Sequence, residues 1–278
     1  MKAIEANGAR IPLLGLGTWD LRGKVCARMV DEAIRLGYRH IDTAAMYGNE
    51  AAVGEGLRAS GIERDEVFIV TKVWQSDLRA RDFERSARAS LANLKLDAVD
   101  LLLIHWPNPG IPLKETIGAL CKMKREGVAR HIGVSNFTVA LIEEAVKYTT
   151  EPLVTNQIEW HPFLDQSKVR AACARHGIAI TAYSPIARGV LTGKYQLNVT
   201  PDAASRAARK DKRKLGRLLG EHTRRVGDPN RGGSSTRVPM MTAYRQEALR
   251  CAELLKDGPM KLAEMRATAD VPNAAKIL

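Results

Sequence analysis

The sequence has 278 residues, of which 45% are hydrophobic, enough for one large α/β domain or two ordinary domains and too many for a disordered chain. It has no run of about 18 apolar residues and no apolar signal segment, so we expect no membrane span and a cytoplasmic location. The formal net charge of +12 is concentrated in residues 193–278, which hold 18 Lys and Arg against nine Asp and Glu. This break in composition predicts two regions of different character.

The first predicted element is a β-hairpin, because Ala6-Asn7-Gly8-Ala9 has the Asn-Gly signature of a tight turn. Residues 14–19, Leu-Gly-Leu-Gly-Thr-Trp, then predict a short strand whose glycines allow close approach of backbone or ligand. Apolar residues at helical spacing follow at Arg28–Leu36 and predict a helix that ends at Gly37. The chain therefore begins with a hairpin, a strand and a helix.

The same strand–helix module then repeats along the chain. Six more strands are predicted at residues 40–42, 67–72, 101–105, 131–135, 153–157 and 178–183. The helices between them are predicted at residues 50–59, 82–94, 113–126, 139–148 and 168–176. Continuous apolar strands that alternate with helices favour a (β/α)8-type TIM barrel with seven recognisable strands. A doubly wound α/β sheet is the alternative, but no Gly-x-Gly-x-x-Gly motif opens a helix.

Nearly every predicted strand ends in a polar or aromatic side chain, and in a (β/α) barrel the chemistry lies where the strands end. These strand-end residues are Thr18-Trp19, Asp42, Lys72, His105-Trp106, Ser135-Asn136, Gln157 and Tyr183-Ser184, with Tyr47 in the loop after the second strand. A purely structural interpretation is available for some of them, such as an ion pair between Asp42 and Lys72 or a hydrogen-bonded core histidine at His105. Their convergence on one end of the barrel favours a chemical site.

Tyr47, Lys72 and Asp42 together predict a tuned proton donor. A free phenol has a pKa of about 10, which a neighbouring ammonium lowers, and a carboxylate can hold that ammonium in place. His105 is suited to hydrogen-bond and orient a substrate oxygen. Such a set can protonate an oxygen while a hydride from a cofactor reaches the attached carbon.

Other types of chemistry receive no support from the sequence. No activated Ser or Cys nucleophile accompanies the strand-end residues, and no metal site is expected. The cysteines are far apart, form no pair with metal-ligand spacing and are predicted to be reduced thiols. They are Cys26, Cys121, Cys173 and Cys251. By contrast, Ser135, Asn136 and Gln157 offer hydroxyl and amide groups suited to a carboxamide, and Tyr183 offers a flat face that can stack on a ring.

Six motifs, in the correct order, resemble the aldo-keto reductase family. They are Gly-Leu-Gly-Thr-Trp, Tyr-Arg-His-Ile-Asp-Thr-Ala-x-x-Tyr-Gly-Asn-Glu, Val-Thr-Lys-Val-Trp, Leu-Leu-Ile-His-Trp-Pro, Ile-Gly-Val-Ser-Asn-Phe and Thr-Asn-Gln-Ile-Glu. Within this family, residues 1–192 are most similar to the bacterial 2,5-diketo-gluconate reductases, which also act on small aldehydes such as methylglyoxal. Residues 193–278 do not follow the family pattern.

The resemblance implies an NADPH-dependent oxidoreductase that reduces aldehydes and ketones to alcohols, with diketo sugar acids and methylglyoxal-like carbonyls as substrates. It implies a catalytic tetrad of Asp42, Tyr47, Lys72 and His105. The residues implied in cofactor binding are Thr18, Trp19, Ser135, Asn136, Gln157, Tyr183 and Ser184. The substrate pocket is implied to be lined by Trp19, Trp74 and Trp106.

Residues 193–278 are predicted to form a basic helical tail. An eighth strand, which in this family carries the segment that grips the 2′-phosphate of NADPH, is missing from the pattern or replaced. The tail contains the basic run Arg209–Lys214 and ends in short helices predicted at residues 242–256, 261–269 and 273–278, whose spacing resembles a helix-turn-helix.

The sequence is also compatible with two alternatives to an active reductase. The chain could be a truncated, catalytically impaired reductase, or a non-catalytic binding protein with a nucleic-acid-binding tail. The basic tail predicts weak, non-specific attraction to nucleic acid. An open seven-stranded sheet predicts either a monomer or a dimer that pairs through the sheet edges.

Overall fold

The computed structural model describes residues 2–162 and 164–187, and the chain divides into two units. The first unit comprises residues 1–158 and 166–183, and the second comprises residues 159–165 and the residues from 184 onwards. The predicted basic tail, its short helices and the position of an eighth strand lie outside the described residues. Within the described part, no helix combines the length and the apolar character that a membrane span requires.

The N-terminal hairpin is confirmed. Strands β1 (Ala3–Ala6) and β2 (Ala9–Pro12) pair in antiparallel register. Asn7 and Gly8 both have positive φ angles, 46° and 83°, as a two-residue turn of this kind requires. The hairpin directs Ala9 and Ile11 into a small buried cluster. The other members of that cluster are Phe68, Val70, Leu101, Leu103 and Val154.

The predicted TIM-type barrel is also confirmed. Among the described residues, seven strands form one nearly closed parallel sheet whose spatial order follows their order along the chain. The strands are β3 (Leu16–Gly17), β4 (His40–Asp42), β5 (Phe68–Val73), β6 (Val99–Ile104), β7 (Ala129–Ser135), β8 (Leu153–Glu159) and β9 (Ala179–Tyr183). Their carboxyl ends therefore meet at one rim of the sheet.

Helices connect consecutive strands and cover the outside of the sheet. They are α1 (Gly23–Arg35), α2 (Glu50–Ser60), α3 (Ala80–Leu94), α4 (Leu113–Arg125), α5 (Val139–Tyr148) and α6 (Ser167–Arg175). Helix α2 packs very close to the end of α3. A Cβ atom on Gly54 would lie only 2.2 Å from the carbonyl oxygen of Leu94, so a side chain at this position would clash with the α3 backbone. This close packing fixes the start of α2, which follows the loop that carries Tyr47.

Alternation along the strands separates two cores. On β5, Phe68 and Val70 belong to the interior cluster, whereas Ile69 and Val73 belong to the larger core between sheet and helices. The same period of two along the strand brings Lys72 to the interior, directly beyond Val70. In strand β6 the same alternation places Leu101 and Leu103 inside and Leu102 and Ile104 outside. The residue after this strand, His105, continues the inward series.

A β-bulge interrupts this alternation in β8. The paired positions run from Ile132 and Leu153 to Val134 and Asn156, so β8 holds one extra residue. Consequently, the inward-facing side chains of β8 are Val154 and Gln157, which are three positions apart instead of the usual two. Next to the bulge, β7 has a glycine at position 133, where a side chain would clash. A Cβ atom there would lie 2.7 Å from the carbonyl oxygen of Thr155.

Candidate active site

Lys72 and Asp42 form a buried ion pair at the carboxyl ends of β5 and β4. The Lys72 side chain is fully buried, and its Nζ donates to Asp42 Oδ1 at 2.5 Å and to the backbone oxygen of Thr43 at 2.7 Å. A buried ammonium is stable only when it is paired and hydrogen-bonded, and both conditions are met here. The ion pair therefore places a fixed positive charge at this rim of the barrel.

Tyr47 lies on a short 3₁₀ turn, Ala45–Tyr47, between β4 and α2. The Lys72 Nζ is 5.2 Å from the centroid of the Tyr47 ring. Burial raises the pKa of the Tyr47 phenol, while the Lys72 ammonium lowers it and the Asp42 carboxylate raises it. The net shift is upward, so the expectation that the neighbouring ammonium produces a lowered pKa was wrong: loss of hydration outweighs the cation. Tyr47 consequently keeps its proton at neutral pH.

His105 follows β6 and lies between two aromatic rings. Its ring centroid is 5.6 Å from that of Tyr47 and 5.0 Å from that of Trp74, both in edge-to-face arrangement. Burial, followed by the positive charge of Lys72, lowers the pKa of His105 to about 3. The imidazole is therefore neutral at physiological pH. Its Nδ1 atom is buried and has no hydrogen-bond partner among the described residues.

Ser135, Asn136 and Tyr183 form a hydrogen-bonded group beside His105. Asn136 Nδ2 donates to the His105 backbone oxygen at 2.9 Å and to Ser135 Oγ at 3.0 Å. The Tyr183 hydroxyl donates to Asn136 Oδ1 at 2.8 Å, and Ser135 Oγ donates to the backbone oxygen of Gln157 at 2.8 Å. Asn136 has a positive φ of 62°, which its short amide side chain tolerates. The network thus fixes the orientation of the Asn136 amide.

Gln157 joins this group to the ion pair. Its Nε2 donates to Asp42 Oδ2 at 2.7 Å, so the two oxygens of Asp42 bind Lys72 and Gln157 separately. Sequence reasoning assigned Gln157 and Asp42 to different tasks and did not predict this contact. No signal in the sequence could have shown it, because the residues are 115 positions apart and the β8 bulge decides the direction of Gln157.

The other residues predicted to belong to the site are Thr18, Trp19, Trp74, Trp106 and Ser184. Thr18 is buried, and its backbone nitrogen and Oγ1 both donate to the Asp42 backbone oxygen, at 2.9 and 3.1 Å. Trp19 follows β3 and is partly buried, whereas Trp106 is 41% exposed. Ser184 has a positive φ of 55° and belongs to the second unit. Trp74, a third predicted pocket tryptophan, makes an edge-to-face ring contact with His105.

Among the buried polar residues that were not assigned from the sequence, Asn49 and Glu50 lie next to the Tyr47 turn. They are 2% and 3% exposed and follow Tyr47 closely in the chain. The available signal was their position directly after the Tyr47 loop, in the Gly-Asn-Glu segment. Neither contributes to a metal site: within the described part of the chain, no group of three or more His, Cys, Asp or Glu is arranged to hold a metal ion.

Comparison with known proteins shows the family that the chain matches. The family model for the Aldo/keto reductase family matches residues 13–265, beyond residue 192, at which the sequence pattern ended. Methylglyoxal reductase DkgB of Escherichia coli O157:H7 is 46% identical over 182 residues, 64% of this chain and 68% of that protein.

Two solved structures are also similar to this chain in sequence and fold. A crystal structure assigned as a 2,5-diketo-D-gluconic acid reductase B is 46% identical with a TM-score of 0.67, covering 69% of this chain and 68% of its own. An aldo/keto reductase from Brucella melitensis is 42% identical with a TM-score of 0.63, covering 66% of this chain and 72% of its own.

Proposed function

Because this chain belongs to the aldo/keto reductase family, we propose that it reduces small aldehydes and ketones to alcohols with NADPH. The observation that carries the proposal is the Tyr47 phenol beside the buried Lys72–Asp42 pair, with the neutral imidazole of His105 next to it. These four groups lie at the carboxyl ends of neighbouring strands, where barrel enzymes keep their chemistry. They are proposed as the catalytic tetrad.

Tyr47 acts as the general acid. Its raised pKa keeps the phenol protonated at neutral pH, so a proton is available for the carbonyl oxygen of the substrate. As the proton leaves, negative charge develops on the phenolate, and the Lys72 ammonium stabilises that charge. Asp42 holds the ammonium in position through its 2.5 Å hydrogen bond.

His105 orients the substrate and does not protonate it. With a pKa of about 3, the imidazole carries no proton that it can lose as an acid near neutral pH. A neutral imidazole still donates one hydrogen bond, which suits it to hold the carbonyl oxygen close to Tyr47. The contact between the Trp74 ring and His105 supports Trp74 as a wall of the proposed substrate pocket, with Trp19 and Trp106 as further walls.

The side chains at this rim fit a nicotinamide cofactor. A carboxamide needs both hydrogen-bond donors and acceptors. The second N–H of the Gln157 amide can donate, and Gln157 Oε1 and the remaining lone pairs of Asn136 Oδ1 and Ser135 Oγ can accept. The buried, unpartnered Nδ1 of His105 also supports a ligand at this position. When bound, NADPH supplies the hydride for the carbonyl carbon. We propose that Ser135, Asn136 and Gln157 hold its carboxamide and that Tyr183 stacks on the nicotinamide, with further contacts from Thr18, Trp19 and Ser184.

Methylglyoxal-like carbonyls and diketo sugar acids are the proposed substrates. The support is the similarity to proteins described as methylglyoxal reductase DkgB and 2,5-diketo-D-gluconic acid reductase B.

Preference for NADPH over NADH is proposed as well. A test is the ratio of the two dissociation constants, measured by quenching of protein fluorescence on the full chain. Equal affinity for both cofactors would contradict the preference.

The decisive experiment compares Tyr47→Phe with wild type. Consumption of NADPH in the presence of methylglyoxal is expected to fall on the order of a hundredfold or more, because the general acid is lost. Tyr38→Phe is the matched control, since Tyr38 precedes β4 at the opposite end of the barrel and should leave turnover unchanged. Full turnover in Tyr47→Phe would refute the mechanism. Tight NADPH binding without turnover in wild type would favour the alternative, an impaired reductase or a non-catalytic binding protein.

We make three further proposals: a cytoplasmic location, a monomer or a dimer paired through the edges of the seven-stranded sheet, and weak nucleic-acid binding by residues 193–278, the last supported by their basic composition. The last depends on Arg209–Lys214, which lies outside the described residues. Binding through such a basic run is expected to be insensitive to base sequence and to disappear as salt rises. Gel shifts at several salt concentrations test it, and sequence preference that survives at high salt would contradict it.

A further inference from the structure

The turn that carries Tyr47 has little of its own to hold it in place. Ala45, Tyr47 and the intervening Met46 are partly or largely exposed, and the turn ends at Gly48 with a positive φ of 63°. The phenol must nevertheless stay beside Lys72 for proton transfer. The ring contacts His105, and further support is available from the flanking chain, where the two residues after Gly48 are buried and polar.

Asn49 ties the end of the turn to both sides of Asp42. Its Oδ1 accepts a hydrogen bond of 2.8 Å from the hydroxyl of Thr43, the residue directly after Asp42. Its Nδ2 donates to the backbone oxygens of Thr18 and Leu21 at 2.8 and 3.1 Å. Thr18 in turn donates twice to the Asp42 backbone oxygen. Asn49 thus uses its whole amide to connect the Tyr47 turn to the ends of β3 and β4.

Glu50 ties the same segment to β5. Its Oε1 accepts a hydrogen bond of 2.5 Å from the hydroxyl of Thr71, the residue directly before Lys72. Its Oε2 accepts a longer bond of 3.3 Å from Asn93 at the end of α3. The carboxylate lies in the first turn of α2, where the helix dipole favours negative charge. A buried carboxylate with these partners fixes the start of α2 relative to the strand that carries Lys72.

We propose that Asn49 and Glu50 are positioning residues that hold the Tyr47 phenol at its working distance from Lys72. Each binds a threonine that is the chain neighbour of a tetrad member, Thr43 beside Asp42 and Thr71 beside Lys72. Three tetrad members are thereby linked through hydrogen bonds that never touch substrate. This inference rests on the proposed function, because it explains how the general acid is placed. A displacement of about 1 Å in such a group can cost on the order of a hundredfold in rate.

Thr71→Val is the sharpest variant, because it removes the hydroxyl that binds Glu50 while keeping shape and charge. We expect kcat for methylglyoxal to fall on the order of tenfold, with KM and the dissociation constant of NADPH within about twofold of wild type. Thr71→Ser restores the hydroxyl and should restore kcat. Thr116→Val is the matched control, since Thr116 is also buried and its hydroxyl binds the backbone oxygen of Leu78.

A second measurement needs no turnover. Tyrosine labelled at the ring carbon that bears the hydroxyl gives one NMR signal per tyrosine, and the signal of Tyr47 is the one that Tyr47→Phe removes. We expect Thr71→Val and Asn49→Ala to move this signal, Thr71→Ser to return it, and Thr116→Val to leave it in place. If wild type fails to reduce carbonyls, the proposed function fails while the signal still tests the positioning. An unchanged Tyr47 signal and unchanged kcat in folded Asn49→Ala would overturn the inference, even if Thr71→Val does not fold.

Discussion

The two ends of the barrel interior differ sharply although the same strands build both. At the amino-terminal end the inward side chains are apolar, as with Phe68 and Val70 of β5 and Leu101 of β6, and the hairpin residue Ile11 packs on them. The next inward-facing residue of β5 after Val70 is Lys72, at the carboxyl-terminal end. The difference shows that the same strands can present an apolar cluster at one end and a group of polar, hydrogen-bonded side chains at the other.

Two buried histidines sharpen the contrast. His40 lies beneath Asp42 in β4, has its Nδ1 3.0 Å from the backbone oxygen of Pro12 and packs edge-on against Phe68. His105 lies at the carboxyl end between Tyr47 and Trp74. Burial lowers the pKa of both, so both are neutral at physiological pH. A buried, neutral histidine is therefore no evidence of chemistry by itself, and its neighbours decide its role.

The largest effect is expected from making the carboxyl-terminal end apolar. Lys72→Met keeps much of the side-chain volume but removes the cation that lowers the pKa of Tyr47 and stabilises its phenolate. Turnover of methylglyoxal should fall on the order of a hundredfold or more. Lys24→Met, at an exposed position of α1, is the control and should retain wild-type turnover. Near-normal activity in Lys72→Met would show that the ion pair serves only the fold.

The reverse effect is expected at the amino-terminal end. Leu101→Ala removes a buried side chain of the interior cluster and leaves a cavity, which should lower the free energy of unfolding by about 2–5 kcal/mol. Activity of the folded fraction should remain within about threefold of wild type, since no catalytic group is touched. Urea unfolding and steady-state assays measure the two quantities. A large loss of activity without a loss of stability would contradict the separation of the two ends.

Measured over a single pH unit, the smallest expected effect is that of acidification. The folded-state pKa of His105 is lowered to about 3, so the unfolded chain binds more protons as the pH falls below about 6.5. The free energy of unfolding should decrease on acidification between these values, by up to about 1.4 kcal/mol per pH unit for each such histidine. His105→Gln removes one of them, so its urea unfolding should depend less steeply on pH. An equal slope in wild type and His105→Gln would contradict the lowered pKa.

Much of the fold could be predicted because its signals are local. The Asn7-Gly8 turn and the strand–helix alternation follow from backbone preferences and side-chain periodicity, which act over a few residues. The polar strand ends were visible for the same reason: Lys72 and His105 each continue an apolar strand. The geometry brings Asp42, Tyr47, Lys72 and His105 together, as predicted, while their catalytic roles stay a proposal.

The direction of the Tyr47 pKa could not be predicted in this way. The sequence shows that a cation is available, but the cost of removing the phenol from water depends on how deeply the fold buries it. That cost is larger than the effect of Lys72, and the pKa rises. The energetic balance at a site therefore needs the packing of the whole barrel.

By itself the sequence determined which elements form and which side chains stand at the strand ends, since both depend on neighbours in the chain. Only the tertiary structure decided which partners those side chains take. Gln157 reaches Asp42 across 115 residues because a bulge in β8 shifts the inward face by one position. Glu50, in the first turn of α2, accepts a hydrogen bond from Thr71 of β5, 21 residues further along the chain. Contacts of this kind follow from the curvature and register of the sheet, which no local pattern encodes.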